Sequence, residues 1–250
     1  MIARLLWVGL PALLVLVVGW AGSAQEAAHK LGPDAIPIGA SHDYLRGHEA
    51  PDFWALSPYY AGQSTDSACS VAAVAMVVNA LRGLPPHASE PLVTQKALLV
   101  AAASPGWSEE TAEGGPGVTW QELLGYLARS IEAYRLAADV EILKPADASQ
   151  ATLASMRELL AENEASDRDI ALVYFNQGVL TGDWDGPHIS PIGAYDPDSR
   201  RVLIMDVDRK WYVPYWSPDT KLLDAMVRPA PQRFVRLAGE TGGLIRVRKR

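Results

Sequence analysis

Apolar residues at 67–81, SACSVAAVAMVVNAL, neither alternate nor keep to one stripe; they cover nearly every side of a helical wheel. A helix with so little polar face belongs at the centre of a domain. Arg82-Gly83 and Pro85-Pro86 then stop it. Further helices are expected at about 90–103, 120–137 and 147–164, the last with Leu153, Met156, Leu159 and Leu160 at helical spacing. Ser67 suits the N-cap of the buried helix and Asp147 that of the 147–164 helix. Thr119, three residues before Glu122, suits a capping box. Residues 104–118, with four glycines and two prolines, read as a loop without regular structure. The pattern then changes to strands at 169–175, 188–195 and 201–207, with a turn at 196–199 between the last two. Helices first and antiparallel strands afterwards predict an α+β domain.

The ends of the chain read differently. Arg4, the apolar run 5–18 and the small residues Ala21-Gly22-Ser23-Ala24 form an export signal, with cleavage expected after Ala24. An uncleaved membrane anchor is the rival, although Pro11 and Gly19 interrupt a run shorter than the ~20 residues a spanning helix prefers. Residues 25–57, rich in Pro, Gly, Ala and His, read as an extended arm that wraps the domain, 58–240 as the main folded domain, and 241–250 as a basic tail. Arg246, Arg248, Lys249 and Arg250 in that tail are read as a solvated terminus. With 22 Lys and Arg against 29 Asp and Glu, the net charge of -7 excludes phosphate neutralisation, and so nucleic acid binding, as the main task.

Export sharpens the meaning of the single cysteine, Cys69. It has no intramolecular disulfide partner, so the thiol is either buried and inert or kept for chemistry. At the start of a helix the dipole favours the thiolate, the nucleophilic form. Such a nucleophile needs a base. His29, His42, His48 and His87 lie in irregular or turn sequence, whereas His188 opens a strand behind a glycine-containing loop. A hairpin turning at 196–199 pairs residues whose numbers sum to 394 or 395, which puts His188 across from Asp206 or Val207. From there Asp206 would hold the Nδ1 proton and fix the tautomer. The layout is also that of papain-like cysteine-protease folds, in which a buried helix carries the nucleophile and the sheet carries the base. Asp183, Asp185 and His188, with Asp196, Asp198, Asp206 and Asp208 nearby, offer a weaker metal-binding alternative whose spacing fits no standard cage.

Gln63-Ser followed by Cys69 and an apolar helix ending Val78-Asn79-Ala80-Leu81, then His188-Ile-Ser-Pro-Ile-Gly193 and Leu203-Ile-x-Asp206-Val-x-Arg209, resembles the catalytic core of phytochelatin synthases. The resemblance runs over about residues 57–234. It implies attack by Cys69 on the cysteinyl-glycine amide of glutathione, release of glycine, and a γ-glutamylcysteinyl thioester. His188 would protonate the departing amine, and Gln63 with the Cys69 N–H would form the oxyanion hole, a contribution of ~3 kcal/mol. Asn176, Arg209 and Arg233 are implied as substrate-binding residues, with glutathione and related γ-glutamyl thiols as partners. The same resemblance implies no organic cofactor, with cadmium or zinc as activator or as part of a metal-thiolate substrate.

Three positions depart from the pattern. Ser70 stands where the family usually has glycine, Val213 where a second proline is common, and no basic residue closely follows Asn176. No cysteine-rich, metal-responsive C-terminal half follows either, as in short bacterial homologues, so hydrolysis is expected to compete with polymer formation. The rival readings are a papain-like peptidase of the leader-trimming type and a secreted module without catalysis.

Overall fold

The computed structural model describes residues 30–83, 87 and 91–250, so the proposed signal segment and its cleavage site lie outside the described residues. The strands are β1 (Ile36–Pro37), β2 (Ala138–Leu143), β3 (Asp169–Asn176), β4 (Pro187–Asp196), β5 (Arg201–Ile204), β6 (Tyr215–Pro218) and β7 (Gly243–Lys249). They make one antiparallel sheet in the order β1-β6-β5-β4-β3-β7-β2. The helices are α1 (Asp43–Gly47), α2 (Pro51–Leu56), α3 (Cys69–Arg82), α4 (Gln95–Ala101), α5 (Pro105–Glu110), α6 (Trp120–Ala133), α7 (Gln150–Glu164), α8 (Gln177–Thr181) and α9 (Asp219–Val227). The class is α+β, as expected. Among the described residues no helix is long and apolar enough to cross a membrane.

Helices cover both faces of the sheet, which is why β3 reads as a nearly unbroken apolar run. Its Ile170, Leu172 and Tyr174 join Ile189 and Ala194 of β4 in a core shared with α3, α4 and α6. The alternate residues Ala171, Val173 and Phe175 pack on the other side against Leu153, Met156 and Leu160 of α7 and Leu222, Leu223 and Met226 of α9. Every residue of α3 from Ser70 to Leu81 is buried. Each fully buried valine or methionine there contributes about 1.5–3 kcal/mol relative to exposure.

Local signals set several boundaries correctly. Thr119 and Glu122 form the reciprocal capping box at the start of α6. Asp147 is not itself the cap of α7; Ser149 is, and Asp147 accepts from Ser149 N–H and Thr152 Oγ1 to support it. Elsewhere tertiary packing overrode the local reading. The supposed loop 104–118 contains α5, begun by Pro105 in its first turn and anchored by the fully buried Trp107. α6 stops at Ala133, and β2 follows as a half-exposed edge strand.

The two terminal segments are corrected more strongly. Residues 30–57 wrap the domain but are not an extended arm: α1 and α2 form there, β1 pairs with β6, and Leu45, Ala50 and Leu56 are in the core. The basic tail is β7, an interior strand between β3 and β2. Ile245 and Val247 enter the core, and Arg246 is 2% exposed because Glu141, Glu162 and Asp169 surround its guanidinium. The charges along 246–250 masked an alternation that is otherwise that of a buried strand.

Candidate active site

Cys69 is the first residue of α3, and the cap position belongs to Ala68, whose side chain caps nothing. Ser67, expected as the cap, instead donates its hydroxyl to Gly115 O at 2.7 Å. The helix therefore begins with no side-chain cap on its N-terminal N–H groups, at a residue, Cys69, that lines the cleft. Ser70 turns inward and accepts from Trp107 Nε1 at 2.9 Å, so the hydroxyl that departs from the usual glycine is spent in the core.

The sheet brings the histidine. His188 lies on β4 opposite Phe175 of β3 and is 5% exposed. The expected hairpin register is not the observed one: Asp196 pairs with Arg201 and Tyr195 with Val202, and the pairing shifts between Ile192 and Ala194. The irregularity centres on Gly193, where a Cβ would lie only 2.8 Å from Met205 Cγ. β5 ends at Ile204, so Asp206 is not a ladder partner of His188. It reaches the ring through its side chain, with Oδ1 3.0 Å from His188 Nε2. The nitrogen engaged is thus Nε2 rather than the expected Nδ1, and Nδ1 is left for other partners.

Asp206 is fully buried and fully satisfied. Its Oδ1 also accepts from Asp208 N–H at 2.9 Å, its Oδ2 accepts from Gln177 Nε2 at 2.8 Å, and its carbonyl accepts from Tyr60 OH at 2.6 Å. Ser190 Oγ lies 3.1 Å from His188 Nε2 and accepts from Val207 N–H. Burial works against both charges, but they prevail as a pair. Desolvation pulls His188 down, yet the Asp206 carboxylate and the nearby Cys69 hold it up at about 10. Desolvation likewise raises Asp206, yet His188 and Gln177 bring it below the usual carboxylate value.

Cys69, His188 and Gln63 open on a common cleft of about 430 Å³. Gln63 is tied there by its backbone, which donates to Val207 O at 2.8 Å. Trp184, Trp211, Tyr212, Phe234 and Leu237 give the cleft an apolar wall, and Asp66, Asp183, Asp208 and Lys30 give it charge. Trp184 meets Phe234 edge-on at 5.4 Å, over Gly186, where any Cβ would strike both rings.

The structure does not bring the three substrate-binding candidates into this cleft. Asn176 is buried and caps α8, accepting from Gly178 N–H and donating to Asp185 at 2.8 Å, so it holds the 182–187 loop instead. Arg209 lies over the ring of Tyr60. Arg233 is exposed, bonds the backbone of Asp185 and stacks on Phe234 at the rim. The suggested metal group does not assemble either: Asp183 takes Lys30 and Tyr212, Asp185 takes Asn176, and no group of three ligating side chains forms among the described residues. Sequence reasoning passed over Gln177 and Ser190, which hold Asp206 and His188. Ser190 carried a signal, since it lies two residues from His188 on the same face of a strand; Gln177 carried none.

Comparison with known proteins bears on the same segment. The phytochelatin synthase family model matches residues 42–232. Glutathione gamma-glutamylcysteinyltransferase 3 of Lotus japonicus is 36% identical over 80 residues, which is 31% of this chain and 16% of that protein. Glutathione gamma-glutamylcysteinyltransferase 1 of Arabidopsis thaliana is 26% identical over 202 residues, covering 78% of this chain and 39% of that protein. The chain therefore spans less than half the length of these relatives. The matched region holds Gln63, Cys69, His188 and Asp206 together, and over most of its length the chain belongs to the phytochelatin synthase family.

Proposed function

We propose that the chain is an exported cysteine-dependent acyltransferase and hydrolase acting on glutathione, with a papain-like arrangement of nucleophile helix and sheet. The observation that carries this reading is the buried His188–Asp206 pair beside Cys69 at the floor of an open cleft. A structural cysteine has no need of a protonated imidazole next to it.

In this reading Cys69 Sγ attacks the carbonyl carbon of the cysteinyl-glycine amide. The developing oxyanion is met by the Cys69 N–H at the uncovered start of α3 and by the side-chain amide of Gln63, donors that cost no reorganisation when charge appears. His188 hands the proton on Nδ1 to the departing glycine nitrogen as the C–N bond breaks. Asp206 keeps the opposite nitrogen protonated and the ring in place, as Gln177 keeps Asp206 in place. The γ-glutamylcysteinyl thioester then passes its acyl group to water or to the amine of a second γ-glutamyl peptide. Cadmium or zinc belongs to this scheme as an activator or as part of a metal-thiolate substrate.

Purified chain lacking residues 1–24 is expected to release glycine from glutathione, and Cys69→Ala to reduce that release by at least about 10³-fold. Glycine assays and intact-mass detection of the acyl adduct test this together. An unchanged rate in the variant would sink the assignment of the nucleophile, and adding cadmium while looking for peptides longer than glutathione separates transfer from hydrolysis.

A further inference from the structure

We propose that Asp208 is the specificity-determining residue for transfer: its carboxylate binds the ammonium group of an amine acceptor beside the acylated Cys69. The inference rests on the reading of Cys69 as the acylated nucleophile and adds to it the residue that holds the amine acceptor. Of the aspartates lining the cleft, Asp183 is bonded by Lys30 at 3.1 Å and by Tyr212 OH at 2.9 Å, and Asp66 is bonded by Lys210 at 3.2 Å. Asp208 has no such cation among the described residues. Its Oδ1 is buried without a hydrogen-bond partner, although the residue lines the cleft.

The backbone of Asp208 is held firmly. Its N–H donates to Asp206 Oδ1, and its carbonyl accepts from the N–H groups of Trp211 and Tyr212 at 3.0 and 2.9 Å. These bonds fix the Cα position from which the side chain reaches the cleft. Burial raises its pKa, against the opposing charge of His188 and with Asp206 and Asp66 adding like charge, while the Lys210 backbone N–H pulls the other way. A half-buried carboxylate on a cleft that makes no ion pair of its own is relieved by an incoming cation, most of all once His188 has given up its proton.

The location selects the acceptor rather than the donor. The α-ammonium of the donor γ-glutamyl group is many bonds from the scissile carbonyl. The acceptor nitrogen must instead come within reach of both the thioester carbon and His188. Asp208 donates its N–H to Asp206, the partner of His188, and lines the same cleft as His188 and Cys69.

The step balances as follows. After glycine has left, His188 is neutral and the acceptor arrives as R–NH₃⁺ on Asp208. Nδ1 takes one proton, and the freed lone pair attacks the thioester carbon. As the tetrahedral intermediate collapses, the C–S bond breaks and its electron pair returns to Cys69 as thiolate. The second nitrogen proton leaves through the Asp208 carboxylate to water, giving the amide and a thiolate–imidazolium pair.

The test compares two acceptors in the full mature chain supplied with glutathione: glycinamide, largely an ammonium at neutral pH, and hydroxylamine, largely uncharged there. The ratio of glycinamide product to hydroxamate is measured by mass spectrometry. Asp208→Asn is expected to lower that ratio at least tenfold, and Asp208→Glu to restore most of it. A general distortion of the site would lower both products together and leave the ratio where it was. A ratio within twofold of the parent in Asp208→Asn overturns the inference, as does a parent chain that releases glycine but makes no amine adduct. A parent chain that releases no glycine overturns the underlying reading, and this inference with it.

Discussion

The strand β3 has a buried charge pair near each end. Near Asn176, His188 lies across from Phe175 and bonds Asp206. At the other end Asp169 opens the strand, with Arg246 3.7 Å away and Glu141 and Glu162 completing its shell. His188, Asp206, Asp169 and Arg246 are all almost completely withdrawn from solvent. Only the first pair faces a cleft and a nucleophile. Burial and pairing therefore do not mark chemistry by themselves; a buried arginine among carboxylates does the same for an interior strand that its own sequence makes too basic. What separates the pairs is where the remaining capacity lies: His188 lines the cleft together with Cys69, whereas the unpartnered atoms of the second cluster, Asp169 Oδ1 and Arg246 Nη1, are buried away from it.

Substitution can break this contrast. The largest effect is expected from Asp206→Asn, which leaves the shape but removes the charge that keeps Nε2 protonated. Glycine release should fall by roughly 10³- to 10⁴-fold, read as steady-state turnover. Next comes Arg246→Ala, which removes the buried guanidinium shared by Glu141, Glu162 and Asp169 and leaves Asp169 only the half-exposed Arg248, 3.5 Å away. It should cost about 3–5 kcal/mol of stability in urea unfolding, while turnover per folded molecule stays close to the parent. If Arg246→Ala instead lost turnover at full stability, the two clusters would not be separable as proposed.

The smallest effect is in the pH dependence of stability. His188 is raised, so its contribution is complete below its ordinary value of 6.5 and is lost as pH climbs through about 10. Asp206 is lowered, so its contribution is complete above the ordinary 3.8 and is lost as pH falls through its folded value. The pair is then worth most between 3.8 and 6.5. The urea midpoint difference between parent and Asp206→Asn should accordingly shrink from about pH 5.5 to about pH 9.5. A difference that grows over that range would mean that His188 is neutral in the resting protein.

Legibility in the sequence followed the range of the interaction. The buried helix, its cysteine, the capping box of α6 and the cores of β3 and β4 rest on periodicity and on side chains a few residues apart, and all of these were readable. β7 was not, because its apolar alternation was overlaid by charges whose partners, Glu141 and Glu162, lie in other elements. The pairing of His188 with Asp206 was reached by a register that the Gly193 irregularity changes, so the partner was right and the nitrogen was not.

By itself the sequence determined which segment is buried at the centre, which thiol heads it, and the set of residue types that resembles the phytochelatin synthase core. Tertiary structure decided that the supposed tail is an interior strand, that Gln177 and Ser190 hold the histidine pair, that Asn176 and Arg209 are engaged outside the cleft and Arg233 at its rim, and that Asp208 lines it without an ion pair. Periodicity reports how a backbone segment meets solvent and core, a local property. Which nitrogen meets which carboxylate, and which charge is left unpaired, depends on the relative placement of different elements, 18 residues apart for His188 and Asp206 and 84 for Arg246 and Glu162, and only packing sets that.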